Sequence, residues 1–239
     1  MNIIKRLFQS SVGLKFVMAA TGIGLFLFVV LHLVGNLQFF LGPDTINAYG
    51  HMFQDNEKLR WPFRIGLLVT VVLHGSSAIK LAALNRASRP VGYAGNPPPV
   101  AASYAARTML MTGLIVATFI LYHLLHFTVR VQAVNLTGQD FTVLTEPSGH
   151  GHVRHDIFHM MVLGYQQPLV SALYVLGVGL LSLHLSHGLR AMFQSLGFRS
   201  HTWDPVIDRA ARIVGWLIFL GFSSIPIAVL CGFGRQALH

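Results

Sequence analysis

Residues 119–130 read FILYHLLHFTVR and sit inside an apolar run long enough to cross a membrane. Two histidines, His123 and His126, stand there at a depth where water is scarce. An imidazole in hydrocarbon is costly unless something binds it, so an intramembrane histidine marks a functional site by default. Taken alone, the two read equally as a metal pair, a proton relay, or one ligand with a bystander.

The surrounding chain has the same character. Of its 239 residues 53% are hydrophobic and only 10% charged, with a mean hydropathy of +0.58. A soluble domain is typically about 25% charged. Uncharged stretches of about 20 residues have the length of membrane-spanning helices. The expected fold is all-α, an integral membrane bundle of five helices over residues 16–41, 63–84, 108–131, 168–189 and 213–231, in a single domain covering 1–239. Pro168 suits a first helical turn, and Pro226 predicts a kink. The first apolar run is too long for a signal peptide and lacks a small-residue cleavage site, so it is expected to remain as the first span. Between spans, a polar segment opens at Gly42-Pro43-Asp44 and runs to Arg60, with Pro62 as punctuation. Residues 85–99 form an Arg-, Pro- and Gly-rich loop. Residues 132–167 are the longest polar stretch, within which 156–164 predicts an amphipathic helix lying at the interface. The single cysteine, Cys231, excludes an internal disulfide and any multi-cysteine cluster in this chain.

Net charge is +9 and the pI about 10.3. The cations flank apolar spans rather than alternating with aromatics, so they report membrane topology, not nucleic-acid binding. Eleven of the 17 fall on one side: Lys5, Arg6, Lys15, Lys80, Arg86, Arg89, Arg107, Arg190, Arg199, Arg209 and Arg212. The other side holds Lys58, Arg60, Arg64, Arg130, Arg154 and Arg235, together with six of the eight acids. Excess Lys and Arg mark the cytoplasmic side, which predicts a cytoplasmic N-terminus.

Each of the first four spans carries a histidine in its apolar run: His32 in VVLHLVG, His74 in VVLHGSS, His123 in ILYHLLH and His184 in LSLHLSH. The fifth has none. The first and third spans run outward and hold His32 and His123 late. The second and fourth run inward and hold His74 and His184 in the middle or late part. Depth therefore sorts the four into an outer pair, His32 with His123, and an inner pair, His74 with His184. Two histidines facing each other across a bundle suit a six-coordinate haem b, whose iron takes one axial imidazole from each face. Zinc wants three or four ligands converging at one depth, whereas these histidines occupy two depths, no acid lies among them, and HExxH is absent. A transporter is expected to show intramembrane acids, and all eight lie outside the spans. A structural anchor with carbonyl-bonded histidines stays open. His126 and His187 each follow a paired histidine by three positions, about 60° around the helix. His126 then reads as an interfacial residue near Arg130, or as a group supporting a haem ligand or propionate from behind. His187, with Gly188 and Arg190 beyond it, reads as support for a haem propionate.

Further motifs accompany the histidines. They are Ser10-Ser11-Val12-Gly13, Ala20-Thr21-Gly22, LHLVGNLQFFLGP at 31–43, Asn47-Ala48-Tyr49, Ala102-Ser103-Tyr104 with Arg107-Thr108, YHLLHF, LHLSHG and Gly221-Phe222-Ser223-Ser224-Ile225-Pro226. In this order, and over almost the whole chain, they resemble the di-haem cytochrome b subunits (b558 type) of succinate dehydrogenase and fumarate reductase. The resemblance implies five helices and two b haems, with axial ligands at His32, His74, His123 and His184. It implies partnership with a flavoprotein subunit carrying FAD and an iron–sulfur subunit, both on the cytoplasmic face, and electron exchange with a membrane quinone, menaquinone rather than ubiquinone. One departure stands out. Members that couple proton movement to electron flow carry a glutamate just before the last ligand, where this chain reads Leu181-Ser182-Leu183.

For the quinone, the segment after the first span offers Asn47, His51, Gln54 and Glu57 as hydrogen-bonding candidates near the outer pair. Two rival functions remain at this level. One is a cytochrome anchor for another oxidoreductase, such as a hydrogenase or formate dehydrogenase. The other is a haem-free transporter or structural anchor. The histidines at 150, 152, 155 and 159 have no assigned role.

Overall fold

A computed structural model describes residues 7–88, 104–148 and 153–238, the side chains of 104–107 and 237–238 apart. His150, His152, Ala102, Ser103 and most of the loop expected at 85–99 lie outside the described residues. The fold is all-α, with helices α1 (Ser11–Leu37, prolonged by a 3-10 turn at Gln38–Leu41), α2 (Pro43–Gln54), α3 (Glu57–Ala87) and α4 (Tyr104–His123, passing into a π-turn at Leu124–Thr128). Then follow α5 (Gln132–Asn135), α6 (Ile157–Tyr165), α7 (Pro168–Ser195) and α8 (Asp204–Leu230). Among the described residues, sheet is confined to a ribbon of β1 (Thr145–Pro147) and β2 (Val153–His155), antiparallel with Glu146 opposite Arg154.

Five helices are long and apolar enough to cross a membrane: Ser11–Leu41, Glu57–Ala87, Thr108–Thr128, Pro168–Ser195 and Asp204–Leu230. Their side chains fit that setting. Leu31, Leu68, Leu176 and Trp216 are 62% to 65% exposed, which suits lipid rather than water.

Where the boundaries differ from expectation, the reasons are local. Pro62 does not stop α3, because it stands in the second turn, where a proline forfeits a single carbonyl bond and its fixed φ is already helical. The last long helix starts at Asp204 because an acid and then Pro205 open its first turn, both favourable at a helix N-terminus. The segment after the first span is not a polar loop. Gly42, at φ 100° and ψ 172°, breaks the chain direction, and Pro43 and Asp44 then start α2.

The chain packs as two compact units. The first comprises Met1–Val29, Arg64–Leu114 and Leu183–Gly215. Leu14, Ala19, Ser77 and Ala211 are buried in it. The connection from α7 to α8 is tied by Arg190 to Asp208 (3.2 Å) and Arg199 to Asp204 (2.7 Å). The second unit comprises Val30–Phe63, Ile115–Ser182 and Trp216–His239 and holds the main apolar core, with Phe39, Phe158, Val162, Val170, Ile225 and Val229 at its centre. Phe39 stacks on Phe158 at 4.8 Å between ring centres.

The stretch expected as an interfacial amphipathic helix is a helix, α6, but its setting is different. Phe158, Met160, Met161, Val162, Gly164 and Tyr165 are all buried, so α6 is a core element. Apolar residues surround its axis rather than forming one stripe, and a helix that is hydrophobic all round is buried. Asp156 caps it by accepting from the His159 N–H (2.9 Å). Arg154 fixes the preceding ribbon, reaching Glu146 Oε1 at 2.6 Å from both Nε and Nη2, with Asp44 of α2 at 3.7 Å.

Candidate cofactor site: two facing histidine pairs

The spacing of histidines along the spans, not any local motif, builds the site. In the first unit His74 of α3 faces His184 of α7, with ring centres 6.4 Å apart. In the second, His32 of α1 faces His123 of α4 at 5.8 Å. All four rings are half-buried. Each pair joins helices that are not neighbours in sequence.

The hydrogen bonds at Nδ1 decide what the first pair offers. Thr21 Oγ1 lies 3.1 Å from His74 Nδ1, and it donates its one hydrogen to the Val17 carbonyl at 2.6 Å. Thr112 Oγ1 lies 3.4 Å from His184 Nδ1 and donates to the Met109 carbonyl at 3.0 Å. A hydroxyl whose hydrogen is committed elsewhere can only accept. With the hydroxyl hydrogens on these carbonyls, both imidazoles carry hydrogen on Nδ1 and keep a lone pair on Nε2. That is the tautomer of a neutral metal ligand, with its orientation fixed by the partner of the other nitrogen.

Ring separation and donor set suit a flat metallocycle between the rings. Two imidazoles held to one metal by bonds of about 2 Å place their ring centres roughly 6 Å apart. Gly22 of α1 and Gly113 of α4 stand against the two rings, where a Cβ would come within 3.4 Å of His74 Cε1 and 3.3 Å of His184 Cε1. Small residues let a bulky group approach a helix closely. Among the described residues, no three of His, Cys, Asp or Glu group together as a metal site.

No protein-family model, curated protein or solved structure matches the chain.

The second pair has a different surround. His32 Nδ1 lies 3.3 Å from Asn36 Nδ2, which also donates to the His32 carbonyl at 2.7 Å. His123 Nδ1 lies 3.3 Å from the Tyr174 hydroxyl of α7, and the same hydroxyl lies 3.0 Å from His126 Nδ1. His126 is 0% exposed, with Tyr122, Phe127 and Phe141 around it, and its Nε2 has no hydrogen-bond partner among the described residues. His126 lies within the π-turn, where the Val129 N–H bonds the Leu124 carbonyl five residues back, at 2.7 Å. Three residues apart, His123 and His126 are neighbours on the helix surface and reach one hydroxyl.

The remaining candidates are dispersed. His187 is half-buried on α7, and Arg190 is engaged by Asp208 of α8 through its side chain (3.2 Å) and its carbonyl (3.4 Å). Asn47 is 0% exposed, donating to Asp156 Oδ1 (3.0 Å) and accepting from the Phe158 N–H (2.9 Å). It is a strut between α2 and α6, and a quinone cannot reach it. His51 pairs with Asp55 (2.9 Å) and Glu57 with Arg60 (3.0 Å), while the Gln54 carbonyl accepts from the Arg60 guanidinium (2.5 Å). A shallow groove of about 500 Å³ runs along Met52, Asp55, Asn56, Glu57 and Lys58. Outside the spans, burial and the nearby Arg130 push His155 below its ordinary range, and its Nε2 lies 3.3 Å from Met160 Sδ. The residues missed from sequence are Thr112 and Tyr174, with Thr21 quoted only as part of a motif. A lone hydroxyl in an apolar span was their only signal.

Proposed function

We propose that the chain is the di-haem b membrane-anchor subunit of a succinate:quinone oxidoreductase, relaying electrons between an iron–sulfur subunit and a membrane quinone. The observation that supports it most is the pair of facing imidazoles in the first unit, whose hydroxyl partners leave both Nε2 lone pairs available. Haem b, held by the histidine pairs, would supply one-electron transfer across the hydrocarbon layer. The chain's own task is to hold and orient. Thr21 and Thr112 fix the inner imidazoles, Gly22 and Gly113 leave room beside them, and the exposed leucines seat the bundle in lipid.

In this reading the N-terminus is cytoplasmic, the membrane is the bacterial cytoplasmic membrane, and the basic connections from α3 to α4 and from α7 to α8 dock the flavoprotein and iron–sulfur subunits. FAD and the clusters belong to those partners. Menaquinone is the favoured quinone. Succinate/fumarate chemistry takes place in the partner subunits, so this chain is the quinone-reactive part of the enzyme.

A reduced-minus-oxidised spectrum of the purified chain tests the reading. The expected result is a b-type α-band with two haems per chain, and His123→Ala removing one of them. Absence of the band would sink it. Co-purification with a flavin subunit that oxidises succinate separates this anchor from one serving a hydrogenase or formate dehydrogenase.

A further inference from the structure

In the first unit each paired imidazole has the same arrangement: a hydroxyl at Nδ1, and a backbone carbonyl that takes the hydroxyl's hydrogen. Thr21 has Val17, and Thr112 has Met109. His123 also has a hydroxyl at Nδ1, that of Tyr174 at 3.3 Å. The group at 3.0 Å on the other side of this hydroxyl is not a carbonyl but His126 Nδ1. A tyrosine hydroxyl has one hydrogen and two lone pairs, so it cannot donate to both rings.

We propose that Tyr174 and His126 are the positioning residues of the second pair: His126 accepts the Tyr174 hydrogen at Nδ1, which leaves Tyr174 only as acceptor for His123 Nδ1–H. His123 is thereby held in the tautomer that presents Nε2. This assigns His126 a role that burial alone does not explain. Its own hydrogen must lie on Nε2, the atom without a hydrogen-bond partner, among the rings of Tyr122, Phe127 and Phe141. Aromatic rings give such an N–H weak compensation. Their spacing of three residues makes the two imidazoles neighbours on the helix, and both reach the one hydroxyl. A buried N–H without a full partner is an expense that a mere packing residue would avoid, since a leucine fills the same space.

The proposal rests on His123 binding haem iron. An acceptor at Nδ1–H makes an imidazole more basic and favours the ferric state. Tyr174→Phe removes only the hydroxyl. It is expected to keep two haems and raise the midpoint potential of one, identified as the haem that His123→Ala removes. A tenfold change in the ferric-to-ferrous binding ratio reads as about 59 mV for this one-electron couple. Where occupancy falls as well, titration with added haem reads the same loss as affinity weakened about 10- to 100-fold. His126→Leu, which frees the tyrosine hydrogen, should disturb the same haem. His126→Asn, which keeps an acceptor close to the Nδ1 position, should restore it. The other haem stays at its parent potential throughout.

The possible failures are distinct. A parent chain with no haem, or a His123→Ala chain that keeps both, overturns the functional reading itself. If that reading holds, an unmoved potential and occupancy in Tyr174→Phe, or equal shifts of both haems, overturns the positioning role of Tyr174. A His126→Asn chain that behaves like His126→Leu overturns the role of His126.

Discussion

Asn47 illustrates how a residue's chemistry on paper differs from its chemistry in place. As a polar side chain beside the outer pair it is a fair quinone ligand. In the fold both ends of its amide are used, one on Asp156 and one on the first turn of α6. Asn47→Ala leaves the buried Phe158 N–H unpaired, a cost of about 1–3 kcal/mol, and is expected to lower the thermal midpoint of the detergent-solubilised chain. Quinone reduction per folded molecule should stay unchanged. His155 makes a second residue-scale prediction. Burial favours its neutral form in the folded chain, so its folded pKa lies below the unfolded value of about 6.5. Below about pH 6.5 the unfolded chain takes up a proton that the folded chain resists. Stability therefore falls on acidification and levels off once the folded pKa is passed. Thermal unfolding followed from about pH 8 to about pH 5, the range in which histidine titrates, should show that slope, and His155→Phe should lessen it.

At the scale of elements, the starts of helices were the least legible part of the sequence. Proline was read as punctuation at Pro62, yet it lies inside α3, because its penalty depends on which turn it occupies. The polar run after the first span concealed α2, whose start depends on a backbone angle at Gly42 that composition does not report. No atom would meet a Cβ at Gly42 within 4 Å, so Gly42→Ala tests the angle alone. Left-handed strain of this kind costs about 1–3 kcal/mol. The variant should unfold at a lower denaturant concentration, with its helical circular dichroism preserved until unfolding. The π-turn was equally hidden. Regular helical spacing set His123 and His126 about 60° apart, near enough for one hydroxyl to serve both, but did not tell which hydroxyl that would be.

At the scale of the whole molecule the sequence was far more informative. Five spans, four histidines on four of them and their sorting by depth all follow from hydropathy and position, and the structure sets His32 against His123 and His74 against His184. Period and length survive folding, whereas hydroxyl partners such as Tyr174 depend on which helices become neighbours, which no single span records. Charge asymmetry predicts the side on which each end lies, and the single cysteine gives a direct readout. Cys231 is exposed, just past the end of α8. A membrane-impermeant thiol reagent should label it from outside intact cells. A cysteine introduced at Ser200, between α7 and α8, in a Cys231→Ser background should react only after the membrane is opened. The reverse pattern would invert the topology.

Helix α7 contributes to both pairs at once: it brings His184 to His74 and the Tyr174 hydroxyl to His123. The ribosome makes α1, α3 and α4 first, so a nascent chain displays His32, His74 and His123 before any of these partners exists. During that interval His74 lacks its facing imidazole, while His32 and His123 already have each other and lack only the Tyr174 hydroxyl. Emergence of α7 then completes both together, the first pair with its second imidazole and the second with the hydroxyl that orients it.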